Sequence, residues 1–309
     1  MNPFVHEALF YADAEAYLTG TVPFVRRALA GGQPVLVAVP GPNLDRILDA
    51  LGRDADRVRF ADMTVAGRNP GRIIPWVLHA FIAEHPGTRP HIIGEPVWVE
   101  RTPEEYAAAA QHEALINAAF AGRDATILCP YDTGRLGLRA LIEAERTHPV
   151  LVRDGYRRTS PGYAPMDIVA AHNRPLPPPD GPVVQRGFDD AAALADLRAF
   201  AAEQARRAGL PERRIADLQI ALTELATNSL EHGGGRGVLR IWPTAAGLAG
   251  EVEDHGRPAD PLAGRLPPPE TSPRGRGLVI VNHLCDLVRV HTGTDANRIR
   301  ILIDRCAAD

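Results

Sequence analysis

Between Asn173 and Pro182 the chain reads Asn-Arg-Pro-Leu-Pro-Pro-Pro-Asp-Gly-Pro, a run that no helix and no interior strand can cross. Each proline lacks a backbone N–H, fixes its own φ and disfavours helical geometry in the residue before it. The stretch reads as an extended spacer over 174–186. It separates 1–173 from 187–309, and each piece has the size of a domain with its own hydrophobic core. Hydrophobic residues make up 45% and charged residues 23% of the chain, so both pieces are expected to fold.

The net charge is −4, and the basic residues, all arginine, are spread along the chain without a basic patch. Direct nucleic-acid binding is therefore not expected. No apolar run approaches the roughly 20 residues that span a bilayer, and Met1-Asn2-Pro3-Phe4 lacks the features of a signal peptide. The expectation is a cytoplasmic protein with no membrane partner. Cys129, Cys285 and Cys306 show no C-x-x-C spacing and read as reduced thiols rather than a disulfide framework or a zinc site.

In the first piece, apolar runs at 35–39, 58–60, 91–94, 126–129 and 150–152 alternate with helical patterns at 13–30, 43–52, 70–85, 103–121 and 134–146. Asn43 and Thr133 are the expected N-caps of two of these helices. Strands alternating with helices imply a doubly wound parallel sheet. The turn after the first run, Val39-Pro40-Gly41-Pro42-Asn43-Leu44-Asp45, holds no phosphate-binding motif and no lysine.

The second piece changes rhythm to helix, helix, strand, strand, loop, helix, strand, strand, an α+β sandwich. Leu194, Leu197, Phe200 and Ala201 mark one helical stripe, and Ile215, Leu218, Leu222 and Leu225 the next. Glu224, Asn228 and His232 recur every fourth residue on a different face of that second helix, which stops at Gly233-Gly234-Gly235. A carboxylate can polarise an attacking hydroxyl, and a neighbouring amide oxygen suits Mg²⁺, which takes hard oxygen ligands.

Further on, Asp254 and Gly256 end a predicted strand, where a carboxylate can accept from an adenine amino group and a glycine lets a base approach. Last comes Pro273-Arg274-Gly275-Arg276-Gly277-Leu278, a glycine-rich turn opening into an apolar helix. Backbone N–H groups at such a start favour phosphate oxygens. Alone, each of these turns is ordinary; their order and spacing are not.

In that order they resemble the N box (Glu224 to His232), the G1 box (Asp254-x-Gly256) and the G2 box (Gly275-x-Gly277-Leu278) of the GHKL ATPase/kinase superfamily. Within it they are most similar to bacterial anti-sigma-factor serine kinases. The resemblance covers 190–305 and implies a Bergerat sandwich binding ATP and Mg²⁺. Glu224 is then the general base, Asn228 the Mg²⁺ ligand and Asp254 the adenine anchor. Gly275 and Gly277 lie over the triphosphate, with His232, Gly256, Arg274, Arg276 and Leu278 completing the nucleotide-binding set. The 257–273 loop would be a short lid stiffened by its prolines. Two positions depart from the family: Pro258 stands where a second glycine is usual, and Asn297 where a threonine often begins the last strand.

The first piece resembles the MEDS sensory domain through Phe10-Tyr11, Gly31 to Val37, Gly94 to Trp98, His112 to Asn117, Cys129 to Asp132 and Thr147-His148-Pro149. That family has a RecA-like layout without intact nucleotide motifs, and the likeness implies sensing of a small organic ligand. Ligands of open α/β sheets bind beyond the carboxyl ends of strands. Glu95, Trp98, Glu113, Cys129, Tyr131 and Asp132 lie there, or on an adjoining helix, and are the candidate contacts. The implied protein is a switch: an anti-sigma factor and serine/threonine kinase that binds a sigma factor, phosphorylates an antagonist and answers to its N-terminal sensor. A homodimer is compatible with this reading.

Two alternatives use the same ATP module. A histidine kinase needs an acceptor histidine just before it, and 187–215 has none; Gln111-His112-Glu113 resembles such a site only superficially. A non-catalytic protein would hold a sigma factor without phosphoryl transfer. A metabolic enzyme is disfavoured, since the sequence displays no triad, metal-ligand cluster or dinucleotide fingerprint.

Overall fold

The structure is a computed structural model that describes residues 4–256, 260–266 and 275–306. It divides into two compact units, Met1–His172 and Asn173–Asp309. The first unit runs β1 (Val5–Tyr11), α1 (Ala14–Ala30), β2 (Val35–Val39), α2 (Gly41–Leu51), β3 (Arg59–Asp62), α3 (Met63–Ala66) and α4 (Pro70–Arg72). It continues with α5 (His79–Ala83), β4 (His91–Gly94), α6 (Pro103–Ala119), β5 (Thr126–Asp132), α7 (Leu138–Thr147), β6 (Val150–Arg153), β7 (Tyr156–Thr159) and α8 (Pro165–Ala171).

These strands form one sheet in the order β3-β2-β4-β5-β1-β6-β7, parallel throughout except for the terminal β6–β7 hairpin. All five residues of β2 are buried, as a parallel strand covered on both faces requires. The interior strand β1 has no counterpart in the sequence expectation. His6 and Glu7 interrupt its apolar run, and both are nonetheless buried.

Two expected caps are corrected. Pro40, not Asn43, precedes α2, and Asn43 turns its amide inward to Glu95. Gly137, not Thr133, precedes α7, and the Thr133 hydroxyl donates to the Tyr11 carbonyl at 2.9 Å. The helix expected over 70–85 is split by a π-helical segment, Ile73–Leu78, that contains Pro75. Proline has no N–H for the regular ladder, which accounts for the break.

The second unit comprises β8 (Val184–Phe188), α9 (Ala193–Arg207), α10 (Glu212–His232), β9 (Gly237–Pro243), β10 (Gly247–Asp254), α11 (Gly277–Leu284), β11 (Leu287–Thr292) and β12 (Asn297–Asp304). Its sheet is antiparallel in the order β11-β12-β10-β9-β8. Leu218, Leu222 and Leu225 of α10 share a core with Ile241, Val252 and Ile301 of the sheet. A Cβ on Gly250 would lie 3.0 Å from the Leu222 side chain, so the bare backbone there lets α10 settle close.

β8 starts inside the stretch read as spacer. The residue just before that stretch and a proline within it are anchored as well. The Asn173 amide donates to the Thr292 carbonyl and accepts from the Thr292 N–H, both at 2.9 Å. The Pro177 carbonyl accepts from Arg300, whose guanidinium is buried against Glu251. Among the described residues, no helix is long and apolar enough to cross a membrane.

Candidate functional site

Helix α10 carries the first set of candidates in the second unit. Its start, Glu212, follows Pro211, and it runs to the Gly233 stop that the sequence predicts. Leu225 and Ala226 face the core, while Glu224 and Asn228 lie half-buried beside the start of α11. A Cβ added to Gly277, the first residue of α11, would sit 2.5 Å from Glu224 Oε2 and 3.6 Å from Asn228 Nδ2. The absence of a side chain there is what lets the helix start reach these two groups. Gly275, two residues earlier, has φ +91°, a conformation glycine adopts without strain.

Asp254 ends β10 beside the C-terminus of α10. Its Oδ2 accepts from the Ser229 hydroxyl at 2.7 Å, and its Oδ1 accepts from the Gly256 N–H at 3.1 Å and from the Asn297 amide at 3.2 Å. Asn297 opens β12 directly across from Asp254 and also donates to the Gly256 carbonyl. Close packing fixes the glycines here: a Cβ on Gly233 would meet Asp254 Oδ2 at 2.5 Å, and one on Gly256 would meet the His232 carbonyl at 2.6 Å.

The structure therefore brings Glu224, Asn228 and Gly277 together, and Asp254, Gly256 and Asn297 together. The His232 side chain is 68% exposed and lies near Glu231 instead. Arg276 is exposed and Leu278 is half-buried on α11. Arg274 and Pro258 lie outside the described residues.

In the first unit the candidate contacts separate into two places. Glu95, Trp98 and Asp132 line a cleft of about 630 Å³ at the carboxyl ends of β1, β2, β4 and β5, a volume in the range of small-molecule sites. Glu95 is buried at its floor. It accepts from the Asn43 amide at 2.9 Å and from the Tyr11 and Tyr17 hydroxyls at 3.3 Å. Burial pushes its carboxyl up to about 7, against the pull of those three donors. The Trp98 ring is covered by the Arg101 guanidinium at 3.7 Å. Asp132 accepts from the Gly134 and Arg135 N–H groups and so orders the turn that follows β5. A larger groove, about 970 Å³, passes Phe24, Arg27 and Arg157 and holds none of the predicted residues.

Glu113, Cys129 and Tyr131 do not reach that cleft. β5 extends past the expected end at Cys129 to Asp132, which leaves Cys129 in mid-strand. Alternation along β5 turns Cys129 and Tyr131 to the sheet face opposite Leu128, which joins Leu9 and Tyr11 in the core under α1. On their own face lie His6 of β1, Glu113 of α6 and His148, which follows α7.

His6 Nε2 is 3.3 Å from Cys129 Sγ and 3.4 Å from Glu113 Oε2, and His148 Nε2 is 2.9 Å from the same Glu113 oxygen. All four residues are fully buried. Burial and the neighbouring His148 hold His6 down at about 4. Burial opposes ionisation of Glu113, yet the two histidines carry its carboxyl below the usual range, while burial drives the Cys129 thiol well up. The sequence places Cys129 and Glu113 among the ligand contacts and gives His6 and His148 no part. The available signal was a histidine at an inward position of a mostly apolar strand.

His112 precedes Glu113 on α6 and is buried, and so is not presented to a kinase domain as a phosphoacceptor.

Comparison with known proteins divides the chain at the same place. Residues 5–149 match the family model of MEDS, the methanogen/methylotroph DcmR sensory domain. Residues 189–303 match that of the histidine kinase-like ATPase domain. No curated protein matches the chain. Among solved structures, the RsbU and RsbW domains of Rv1364c from Mycobacterium tuberculosis are 20% identical over 41% of this chain, with a TM-score of 0.31. The match takes in 34% of that protein, about a third of its length.

Proposed function

From a chain that joins a MEDS domain to a histidine kinase-like ATPase domain, we propose a signalling switch in which ligand capture in the first unit controls an ATP- and Mg²⁺-dependent protein kinase in the second. The observation that carries this reading is Glu224 and Asn228 held under the start of α11 by the missing side chain of Gly277. The donor set fits the group. Glu224 and Asn228 offer hard oxygens of the kind Mg²⁺ takes. The first turn of any helix directs N–H groups outward along its axis, and those at the start of α11 suit phosphate. Asp254 retains acceptor capacity beside its three bonds, which is what reading a base edge would need.

ATP with Mg²⁺, when bound, supplies a phosphoryl group that a protein hydroxyl can accept. Glu224 would take the proton from that hydroxyl, Asn228 would hold the metal and Asp254 would accept from the adenine amino group. The acceptor in this reading is a serine or threonine of an antagonist protein, and the second partner is a sigma factor. The cleft floored by Glu95, with Trp98 and Asp132 at its wall, would take the small organic ligand.

Calorimetric titration of the full chain with ATP-Mg²⁺ tests the site. A hydrogen bond to a charged group is worth about 1.5–3 kcal/mol, so Asp254→Asn should weaken ATP roughly ten- to hundredfold. An unchanged affinity sinks the assignment. Glu224→Gln should keep ATP affinity and abolish transfer to the antagonist; transfer that persists removes the proposed base. Retained binding with no transfer in the unmodified chain would favour the non-catalytic alternative.

A further inference from the structure

Strands β1 and β5, helix α6 and the turn after α7 bring two imidazoles, a thiol and a carboxylate to one point inside the first unit. We propose that His6, Glu113, Cys129 and His148 form a closed site for one divalent transition-metal ion of the zinc class. Their ligand atoms all lie within 4.8 Å of one another. Bond lengths of about 2.0–2.3 Å to N, O and S ligands place the corners of a tetrahedron roughly 3.3–3.8 Å apart. The observed separations of 2.9, 3.3 and 3.4 Å sit at that scale and need only small side-chain adjustments.

The orientation of the rings is the stronger argument. Asn117 donates its amide to the Thr147 carbonyl at 2.8 Å, which leaves its Oδ1 to face His6 Nδ1 at 3.2 Å as an acceptor. His148 Nδ1 faces the Ala144 carbonyl at 2.9 Å. Both rings must therefore carry a hydrogen on Nδ1, so each neutral ring presents an Nε2 lone pair to the cluster. Metal-binding histidines are held this way, with the outer nitrogen donating to a carbonyl.

Without a cation these lone pairs would point at a carboxylate and a sulfur. Neither Glu113 oxygen nor His148 Nε2 has an aligned hydrogen-bond partner despite the short contacts. Charging both rings instead would set two cations face to face, with ring centroids 3.9 Å apart. One divalent ion answers all four groups at once, and a thiolate and a carboxylate balance its charge. The mixed nitrogen, sulfur and oxygen set suits zinc and cobalt(II) and is too soft for Mg²⁺ or Ca²⁺. With four protein ligands, all buried, no coordination position is left for substrate. The site is independent of the Glu95 cleft and of the nucleotide site.

The test is titration of the full chain, stripped by a chelator, with cobalt(II). The expected result is one ion per chain, the intense visible bands of a four-coordinate site and a thiolate-to-cobalt charge-transfer band. Cys129→Ser should lose that band, and His148→Gln should bind at least about a hundredfold more weakly. Asn117→Ala, which frees the His6 ring without removing a ligand, should cost about 10–100-fold in affinity. Cys306→Ser, at an exposed thiol outside the cluster, should change nothing. A pale, six-coordinate spectrum of the unmodified chain would overturn the site, as would a charge-transfer band that survives Cys129→Ser. Should a variant lose its circular dichroism, X-ray absorption of the zinc-loaded unmodified chain decides alone: one sulfur among four ligands supports the site, and a shell without sulfur refutes it.

Discussion

Glu95 is the residue at which a single proton has most to say about the first unit. Its folded value of about 7 lies above its ordinary 4.5, so between those values the folded chain keeps a proton that the unfolded chain has released. Stability must then fall as pH rises through that window. The loss is about 3 kcal/mol, at roughly 1.4 kcal/mol for each pH unit crossed. Glu95→Gln removes the titration, so denaturant unfolding at pH 5 and pH 7.5 should show the unmodified chain losing about that much relative to the variant. Equal slopes for the two would mean that the carboxyl ionises as freely as in water. The same proton bears on recognition. A neutral Glu95 can donate to a ligand oxygen and a charged one can only accept, so ligand preference in the cleft should reverse near neutrality.

At the level of elements, backbone contact between the end of α10 and the end of β10 makes two glycines behave differently. A Cβ on Gly256 would strike the His232 carbonyl and the Gly233 Cα, which are main-chain atoms that cannot swing aside. Gly256→Ala should destabilise the second unit by about 1–3 kcal/mol in denaturant unfolding. A Cβ on Gly277 would strike only the end of the Glu224 side chain. Gly277→Ala should stay within about 1 kcal/mol of the parent, since alanine favours the helix, while displacing Glu224 and lowering the phosphoryl transfer proposed above.

Helix α10, its glycine stop and the strand that ends at Asp254 were legible because their signals are local: a 3.6-residue stripe, a run of glycines, an alternating run that closes on a turn. β1 was not, because burial on both faces erases alternation and His6 and Glu7 disguise the strand. β8 was hidden by neighbouring prolines, which say where a ladder is unlikely to continue and nothing of where it resumes. The His6, Glu113, Cys129 and His148 cluster was out of reach for a different reason. Its members come from four separate segments, and the parallel register that pairs Ala8 with Cys129 belongs to the sheet, not to any stretch of sequence.

For the whole molecule, the core from Leu9 to Leu128 lies within the first unit and that from Phe188 to Ile303 within the second. Each should melt as its own cooperative unit, and differential scanning calorimetry should resolve two transitions. ATP-Mg²⁺ at about a hundred times its dissociation constant would add about 2.7 kcal/mol to one of them. Cobalt(II) or zinc should raise only the other. The control of the second unit by the first that we propose carries a stricter requirement, because coupling is reciprocal: whatever factor an organic ligand applies to ATP affinity, ATP must return. Identical ATP isotherms with and without a bound ligand would separate the two activities.

The amide of Asn173 acts as one more rung on the edge of β11, and the carbonyl of Pro177 caps the buried Arg300. A truncation that opens at residue 187 would cut β8 near its end, strip both tethers and leave a guanidinium short of an acceptor. Anyone dissecting the chain for expression should therefore begin the C-terminal piece at Asn173, and treat the prolines that follow as its hem.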